Sequence, residues 1–161
     1  MQKELIFRYE PRRGDIENVR DIVTSTNFFQ DHEIPVAVEL VEERLEKGIE
    51  SGYHFIFADF DGKTIAYACY GEIPCTKGSY DLYWIATHND YRGKGIGKTL
   101  MAEVERHIKG LGGRVIYIET SSKPQYKPTR QFYENYGCVT EAVLKDFYDF
   151  GDDKIIYKSH T

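Results

Sequence analysis

Hydrophobic positions recur at two spacings along the chain, every second residue or every third to fourth, and the switches between them mark the elements. Leu5 to Tyr9 alternates as a short strand. Gly14-Asp15-Ile16 opens a helix that gathers Ile16, Val19, Ile22 and Val23 on one side. Asn27 to Glu33 reads as a loop holding Phe28 and Phe29. A second helix is expected from about Pro35 to Ser51, with Val38, Val41, Leu45 and Ile49 at helical spacing. Tyr53 to Phe60 is a strand, and Asp61-Gly62 is a two-residue hairpin signal. Further strands are expected at about Thr64–Ile73 and Ser79–Thr87. A glycine-rich loop follows, then a helix with Ile96, Leu100, Val104 and Ile108 spaced by four, ended by Gly110-Leu111-Gly112-Gly113. Val115 to Thr120 is the next strand. Another helix holds Phe132, Tyr133 and Tyr136, starts near Pro128 and stops at Gly137. Cys138 to Lys158 reads as a final hairpin turning at Gly151-Asp152-Asp153.

Strands and helices interleave while hairpins bracket the centre, so the expected fold is α/β of the α+β type with a mixed sheet. At 161 residues the chain is read as one domain, 1–161. Its 41% hydrophobic and 29% charged residues are ordinary for a globular protein. No apolar run reaches the roughly 20 residues that span a bilayer, and Met1-Gln2-Lys3-Glu4-Leu5 lacks the apolar core of a secretory signal. Cys69, Cys75 and Cys138 form no Cys-x-x-Cys pair; they read as reduced thiols of a cytoplasmic protein, with no metal site expected. A net charge of −5 argues against a general nucleic-acid binder and is compatible with a cationic small substrate.

The loop Tyr91-Arg92-Gly93-Lys94-Gly95-Ile96-Gly97-Lys98-Thr99-Leu100 carries the clearest chemistry. Glycines let a backbone approach a ligand closely, and a helix N-terminus offers N–H groups and a positive dipole end. Together they read as a phosphate cradle. A Walker loop would need a glycine where Arg92 stands. The dinucleotide fingerprint fails because the glycines fall at Gly93, Gly95 and Gly97. A plain connecting turn is disfavoured, since basic side chains at a helix N-terminus oppose its dipole unless an anion binds.

Arg92-x-x-Gly95-x-Gly97 resembles the pyrophosphate loop of the GNAT superfamily of N-acetyltransferases. Leu82 to Tyr91 looks like that family's fourth strand and its run into the loop, and Phe132-Tyr133-Glu134-Asn135-Tyr136-Gly137 resembles its Phe-Tyr-x-x-x-Gly signature. The likeness runs from about residue 5 to 158, though the first 50 residues match in pattern alone. It implies a mixed, twisted sheet of six to seven strands with four helices, the fourth and fifth strands splayed around the pantetheine arm. It implies acetyl-coenzyme A as cosubstrate, held by backbone groups of Arg92, Gly93, Lys94, Gly95, Ile96, Gly97 and Lys98, and by Ile85, Ala86 and Thr87 on the fourth strand. Many members place an Asn and an Ala before the Phe-Tyr pair; here those positions hold Tyr126 and Thr129, and Ser121, Ser122 or Thr129 is a candidate replacement contact. The expected partners are acetyl-coenzyme A and an amine acceptor, with no nucleic acid and no membrane; a homodimer is left open.

The chemistry requires a neutral amine. An alkyl amine of pKa about 10.4 is neutral in about one molecule of 2,500 at pH 7, a handicap near 4.6 kcal/mol. A base must therefore take the ammonium proton. The resemblance points to Glu119; Glu72 and Asp81 are alternatives, as is a water chain or no dedicated base. Any of these carboxylates could equally clamp the ammonium or cap a solvated strand end. Tyr133 occupies the family's general-acid position, where a phenol can protonate the departing thiolate.

The acceptor wall is drawn from Phe28, Phe29, His32, Glu33, Tyr70, Glu72, Phe147 and Tyr148. Aromatics with carboxylates suit a cationic amine. Asp146, Asp149, Asp152 and Asp153 either add to that field or are solvated turn residues, and Arg12-Arg13 either faces a substrate carboxylate or is solvated. The sequence thus expects an N-acetyltransferase acting on a primary amine, with a non-catalytic acyl-coenzyme A binding or sensing domain as the alternative.

Overall fold

The computed structural model describes residues 3–161. Its elements are β1 (Leu5–Arg8), α1 (Asp15–Ser25), α2 (Glu33–Lys47), β2 (His54–Phe60), β3 (Lys63–Glu72), β4 (Ser79–Thr87), α3 (Ile96–Gly110), β5 (Val115–Ser121), α4 (Lys127–Tyr136), β6 (Val139–Asp149) and β7 (Asp152–His160). The strands form a seven-stranded sheet in the order β1-β2-β3-β4-β5-β7-β6. β4 and β5 run parallel, while β1–β2, β2–β3, β5–β7 and β6–β7 are antiparallel. The mixed sheet expected from the interleaved pattern is therefore the one that forms. The chain divides into two compact units, one made of residues up to Gly71 with Trp84–Val104, the other of Glu72–Tyr83 with Glu105–Thr161.

In the first unit, α1 and α2 lay their apolar stripes on β2 and β3. Val19, Ile22 and Val23 of α1 meet Ala37, Val38 and Val41 of α2, with Phe55, Phe57, Tyr67 and Cys69 beneath them. Helix α2 begins two residues before Pro35 and stops at Lys47, short of the expected Ser51. Gly48, at φ +66° and ψ −148°, breaks the helix, and Gly48–Ser51 continues only as a 3-10 turn. Ile49, which continued the helical spacing, is 64% exposed and adds nothing to the core. Asp61 and Gly62 both take positive φ and join Phe60 to its partner Lys63 in the tight turn the dipeptide signals. Arg44 is buried, but its guanidinium donates to the Tyr53 carbonyl at 2.7 Å and to Glu10 at 3.3 Å. A buried Asp15 is held likewise by Arg8, at 2.8 Å, and by the Arg12 N–H.

In the second unit, β5 pairs with β4 only at Ser79–Asp81 against Val115–Tyr117. β5 pairs with β7 along its whole length, Val115–Ser121, but beyond Tyr117 it has no register with β4, which continues through Leu82 and Tyr83. This is how the expected parting of the fourth and fifth strands is built. Ile116, Ile118, Tyr133, Cys138 and Tyr157 are buried. Pro124–Tyr126 forms a short 3-10 turn, and α4 then starts at Lys127 with a proline in its first turn. The final hairpin turns at Phe150-Gly151, one residue earlier than expected, because Asp149 pairs with Asp152 and both Asp152 and Asp153 belong to β7. Asp152 is consequently buried, not a solvated turn residue.

Candidate active site

The glycine loop lies wholly in the first unit. β4 ends at Thr87, and the buried His88 donates its backbone N–H to the Ile65 carbonyl at 2.7 Å. His88 Nδ1 accepts the Asp90 N–H at 3.1 Å, and Nε2 lies 3.5 Å from Asp21. The Asn89 N–H is fixed on Ser25 Oγ at 3.0 Å. A 3-10 turn over Asn89–Tyr91 brings the Tyr91 ring edge-on to Phe60 and under the Lys94 ammonium, 5.4 Å away. The loop is thus anchored before its glycines begin.

Gly93 and Gly95 both have φ of +77°, and α3 starts at Ile96. The first α-helical bond is Thr99 N–H to the Gly95 carbonyl at 3.1 Å, doubled by the Thr99 hydroxyl. The N–H groups of Ile96, Gly97 and Lys98 therefore form the helix's open first turn. Arg92, Lys94 and Lys98 are exposed around them. A Cβ built on Gly93 or Gly95 would meet nothing within 4 Å, so glycine is required here by its backbone conformation and not by crowding. Open N–H groups, the dipole end and three cations suit a multiply charged phosphate ester such as the diphosphate of coenzyme A.

Also in this unit, Ala86 is buried in the core cluster, while Ile85 and Thr87 on either side of it are half-buried. Phe29 packs on Trp84, with ring centres 4.9 Å apart, and Phe28 stands edge-on to Phe29. Tyr70 is wholly buried and stacked on His54. It is a core residue with no exposed surface to offer an acceptor. Arg13 lines a shallow recess with Ile16, Glu42, Leu45 and Glu46, where two carboxylates offset its charge.

The second unit holds the candidate proton-transfer groups. Glu119 on β5 is exposed and paired with Lys154 of β7 at 2.9 Å. The Lys154 ammonium also lies 4.0 Å from the centre of the Phe147 ring, and Tyr148 stands edge-on to Phe147. Asp81 on β4 is half-buried; burial first, and then the Glu119 charge, push its carboxyl above the usual range, while Lys154 opposes the rise. Glu72 accepts the Gly78 N–H at 3.1 Å and so closes the turn between β3 and β4. Tyr133 of α4 is buried between Phe132 and Tyr157, and that burial raises its phenol well above 10. Ser122 Oγ accepts the Asp153 N–H, Ser121 is bonded to Asp152, and Thr129 is half-buried on the first turns of α4.

The sequence profile of the Acetyltransferase (GNAT) family matches residues 16–138. The chain belongs to the GNAT acetyltransferase family. A crystal structure of a GNAT-family protein from Desulfovibrio desulfuricans shares 48% identity, with a TM-score of 0.95 over 98% of this chain and 99% of that one. A ribosomal-protein-alanine N-acetyltransferase from Brucella melitensis shares 21% identity at a TM-score of 0.75, over 97% of this chain and 99% of that one. An aminoglycoside 6'-N-acetyltransferase solved with coenzyme A shares 17% identity at a TM-score of 0.74, over 96% of each chain. These last two share the fold. No curated protein sequence matches the chain.

In this GNAT chain Glu119, Asp81, Lys154, Phe147 and Tyr148 are gathered in one part of the second unit, while Glu72 is engaged by the Gly78 N–H in the turn just before β4. Nothing in the local sequence marks Lys154. Its position is set by the β5–β7 register, which puts it opposite Ser121 and two residues from the partner of Glu119, a long-range pairing that no local spacing announces. Among the described residues no group of three or more His, Cys, Asp or Glu could hold a metal ion, and no helix is long and apolar enough to cross a membrane.

Proposed function

We propose that this GNAT chain transfers an acetyl group from acetyl-coenzyme A to a primary amine, of a small molecule or of a protein N-terminus or lysine, by direct attack of the amine on the thioester. The observation that carries the reading is the cationic loop of Arg92–Lys98, whose two positive-φ glycines lead into the open first turn of α3. Backbone groups of Arg92 through Lys98 would hold the diphosphate, and those of Ile85, Ala86 and Thr87 the pantetheine arm and the thioester. A backbone N–H on the thioester oxygen would stabilise the oxyanion that forms on attack. Ser122 and Thr129 are the further cosubstrate contacts in this reading; the Ser122 hydroxyl, already an acceptor for Asp153, keeps its own proton to donate.

Tyr133 acts as the acid. Burial raises its phenol above the usual range, so at neutral pH it carries the proton it needs to hydrogen-bond the departing sulfur. Full transfer of its proton to a thiolate whose acid has a pKa of about 8.5 is uphill by at least about 2 kcal/mol, so the donated hydrogen bond is its main contribution. Glu119 is the favoured base because the strand pairing puts it beside the aromatic pair Phe147–Tyr148. Asp81 is the second carboxylate of that cluster, and its upward shift brings it closer to the range of a working base. Glu72 is third, since it is occupied by Gly78. Phe147 and Tyr148 in the second unit, and Phe28 and Phe29 in the first, are the candidate aromatic contacts for a cationic acceptor in this reading.

The test is a panel of amines with acetyl-coenzyme A, following free thiol and the mass of the acetylated product, together with calorimetry of acetyl-coenzyme A against ATP and NAD. Acceptor-dependent thiol release with a 42 Da gain on the amine (the mass of an acetyl group replacing hydrogen, about 42 Da) is expected. Tight acetyl-coenzyme A binding with no acceptor-dependent release would instead support the sensing domain. Preference for ATP or NAD would remove both.

A further inference from the structure

The entry to the phosphate loop hangs on one imidazole. After β4 ends at Thr87, His88, at φ −53° and ψ 137°, leads the chain into the 3-10 turn of Asn89–Tyr91. Each N–H along this entry is engaged within the chain: His88 on the Ile65 carbonyl at 2.7 Å, Asn89 on Ser25 Oγ at 3.0 Å, Asp90 on His88 Nδ1 at 3.1 Å and Tyr91 on the His88 carbonyl at 2.9 Å. The open N–H groups at the start of α3 lie downstream of this turn. The Asp90 bond is an N-cap, a task that side-chain oxygens of Asn, Asp, Ser and Thr usually perform. Here a ring nitrogen performs it, on a side chain that is only 10% exposed. The same ring stands edge-on to Tyr91, with 6.3 Å between centres, and Tyr91 in turn meets Phe60 and lies under the Lys94 ammonium. One side chain thus sets both the backbone of the turn and the seat of a loop cation.

Among these four acceptors, His88 Nδ1 alone is of a kind that a proton can occupy near neutral pH, because imidazoles titrate there and carbonyl and hydroxyl oxygens do not. Protonation turns Nδ1 into a donor facing another donor, the Asp90 N–H. It also gives that nitrogen a different partner on the same residue, the Asp90 carboxylate, 3.8 Å away. Asp21 on α1 stands 3.5 Å from Nε2, on the other side of the ring. These two carboxylates are the charged groups beside the imidazole; Tyr91 presents its phenol ring, and β3 the Ile65 carbonyl. Capped and released turns are therefore two arrangements of the same two residues, His88 and Asp90. Resting on the reading of Arg92–Lys98 as the cradle of the coenzyme A diphosphate, we propose that His88 is a positioning residue for cosubstrate binding. Unprotonated, its Nδ1 caps the turn that aims the phosphate loop; protonation releases the cap and weakens the hold on coenzyme A.

Calorimetry of the full chain tests this with acetyl-coenzyme A and with dephospho-coenzyme A, from about pH 5.5 to about pH 8, where imidazoles titrate. The second ligand keeps the diphosphate but lacks the phosphate monoester, which itself titrates near about pH 6. Wild type is compared with His88→Asn, whose side-chain oxygen caps without titrating, and with His88→Leu, which has no acceptor. At about pH 8, His88→Asn should bind within about twofold of wild type and His88→Leu about fivefold more weakly, the usual scale of a lost cap. As the pH is lowered, wild-type affinity relative to His88→Asn should fall about fivefold, towards the His88→Leu value. Turnover with a good amine should stay within a few-fold in all three, since the ring touches no reacting atom. A merely structural role would weaken the variants without moving the ratio of wild type to His88→Asn with pH. A constant ratio therefore overturns the proposal, as does His88→Leu binding as tightly as wild type at about pH 8. Wild-type affinity for dephospho-coenzyme A that is independent of pH overturns it too, with no variant needed. If wild type binds neither ligand at any pH, the cradle reading itself fails and takes this role of His88 with it.

Discussion

The Lys154 ammonium stands 2.9 Å from the Glu119 carboxylate and 4.0 Å from the centre of the Phe147 ring, with only 12% of its side chain exposed. A carboxylate below and an aromatic face above make a box for an alkylammonium. The chain fills that box with its own lysine. A cationic acceptor entering the same surroundings would compete with Lys154 for Glu119, so in the proposed reaction the pair would set both the availability of Glu119 as base and the charge the acceptor meets.

Replacing Lys154 by Met keeps the stem packed on Phe147 and removes the competing cation. The Michaelis constant for a cationic amine should then fall several-fold, whereas Glu119→Gln should lower kcat/KM by about 100-fold, the usual scale of a lost general base. Steady-state kinetics with the best amine of the panel decide it. A rise in acceptor KM for Lys154→Met would mean that Lys154 contacts the acceptor directly instead of standing in for it.

Tyr133 contributes through one hydroxyl on an otherwise apolar, buried ring. Tyr133→Phe keeps the packing against Phe132 and Tyr157. Turnover should drop by about 100-fold, with acetyl-coenzyme A affinity within a few-fold of wild type. Unchanged turnover with every good acceptor would remove Tyr133 from the chemistry.

Asp81 links the carboxylate cluster to stability. Its folded-state pKa is raised, by burial first and then by Glu119, so the folded chain holds that proton more tightly than the unfolded chain. The stabilisation this gives is complete below the unfolded-state value near 3.8 and is lost as pH rises through the folded-state value. At pH 7 the ionised group opposes folding, and Asp81→Asn should raise the melting temperature there. The gain should shrink as the pH is lowered and vanish near pH 3.5. A gain that is independent of pH would assign the effect to packing.

The local elements were legible because their signals are local. The alternation of Ser79–Thr87 returned β4 with its bounds, and Asp61-Gly62 returned its hairpin, since turn chemistry and period suffice for both. Ile49 misled the reading of α2: its spacing fits a helix, but the backbone of Gly48 had already ended it. Asp152 misled in the opposite sense, as a charged residue beside a glycine that turns out to be buried against Ser121 on another strand. Lys154 was invisible for the same reason. Its value lies in a cross-strand contact, and strand register is not written in either strand alone. Tyr70 shows the converse limit: an aromatic near the expected slot was, once β3 formed, simply part of the core.

Gly95 separates conformation from crowding at the phosphate loop. A methyl group at Gly95 would meet no atom within 4 Å, but φ of +77° costs an alanine roughly 1–2 kcal/mol. Gly62, at φ +75° in the β2–β3 turn, has the same open surroundings and nearly the same backbone. Alanine at either position should therefore lower stability by a similar amount, on the order of 1 kcal/mol. Only Gly95→Ala tilts the N–H groups that open α3, and it should raise the Michaelis constant for acetyl-coenzyme A about tenfold while leaving kcat within a few-fold. Thermal melts and acetyl-coenzyme A saturation curves on the two variants make the comparison. Equal acetyl-coenzyme A constants for both would mean that the loop's cationic side chains, and not its backbone, hold the phosphates.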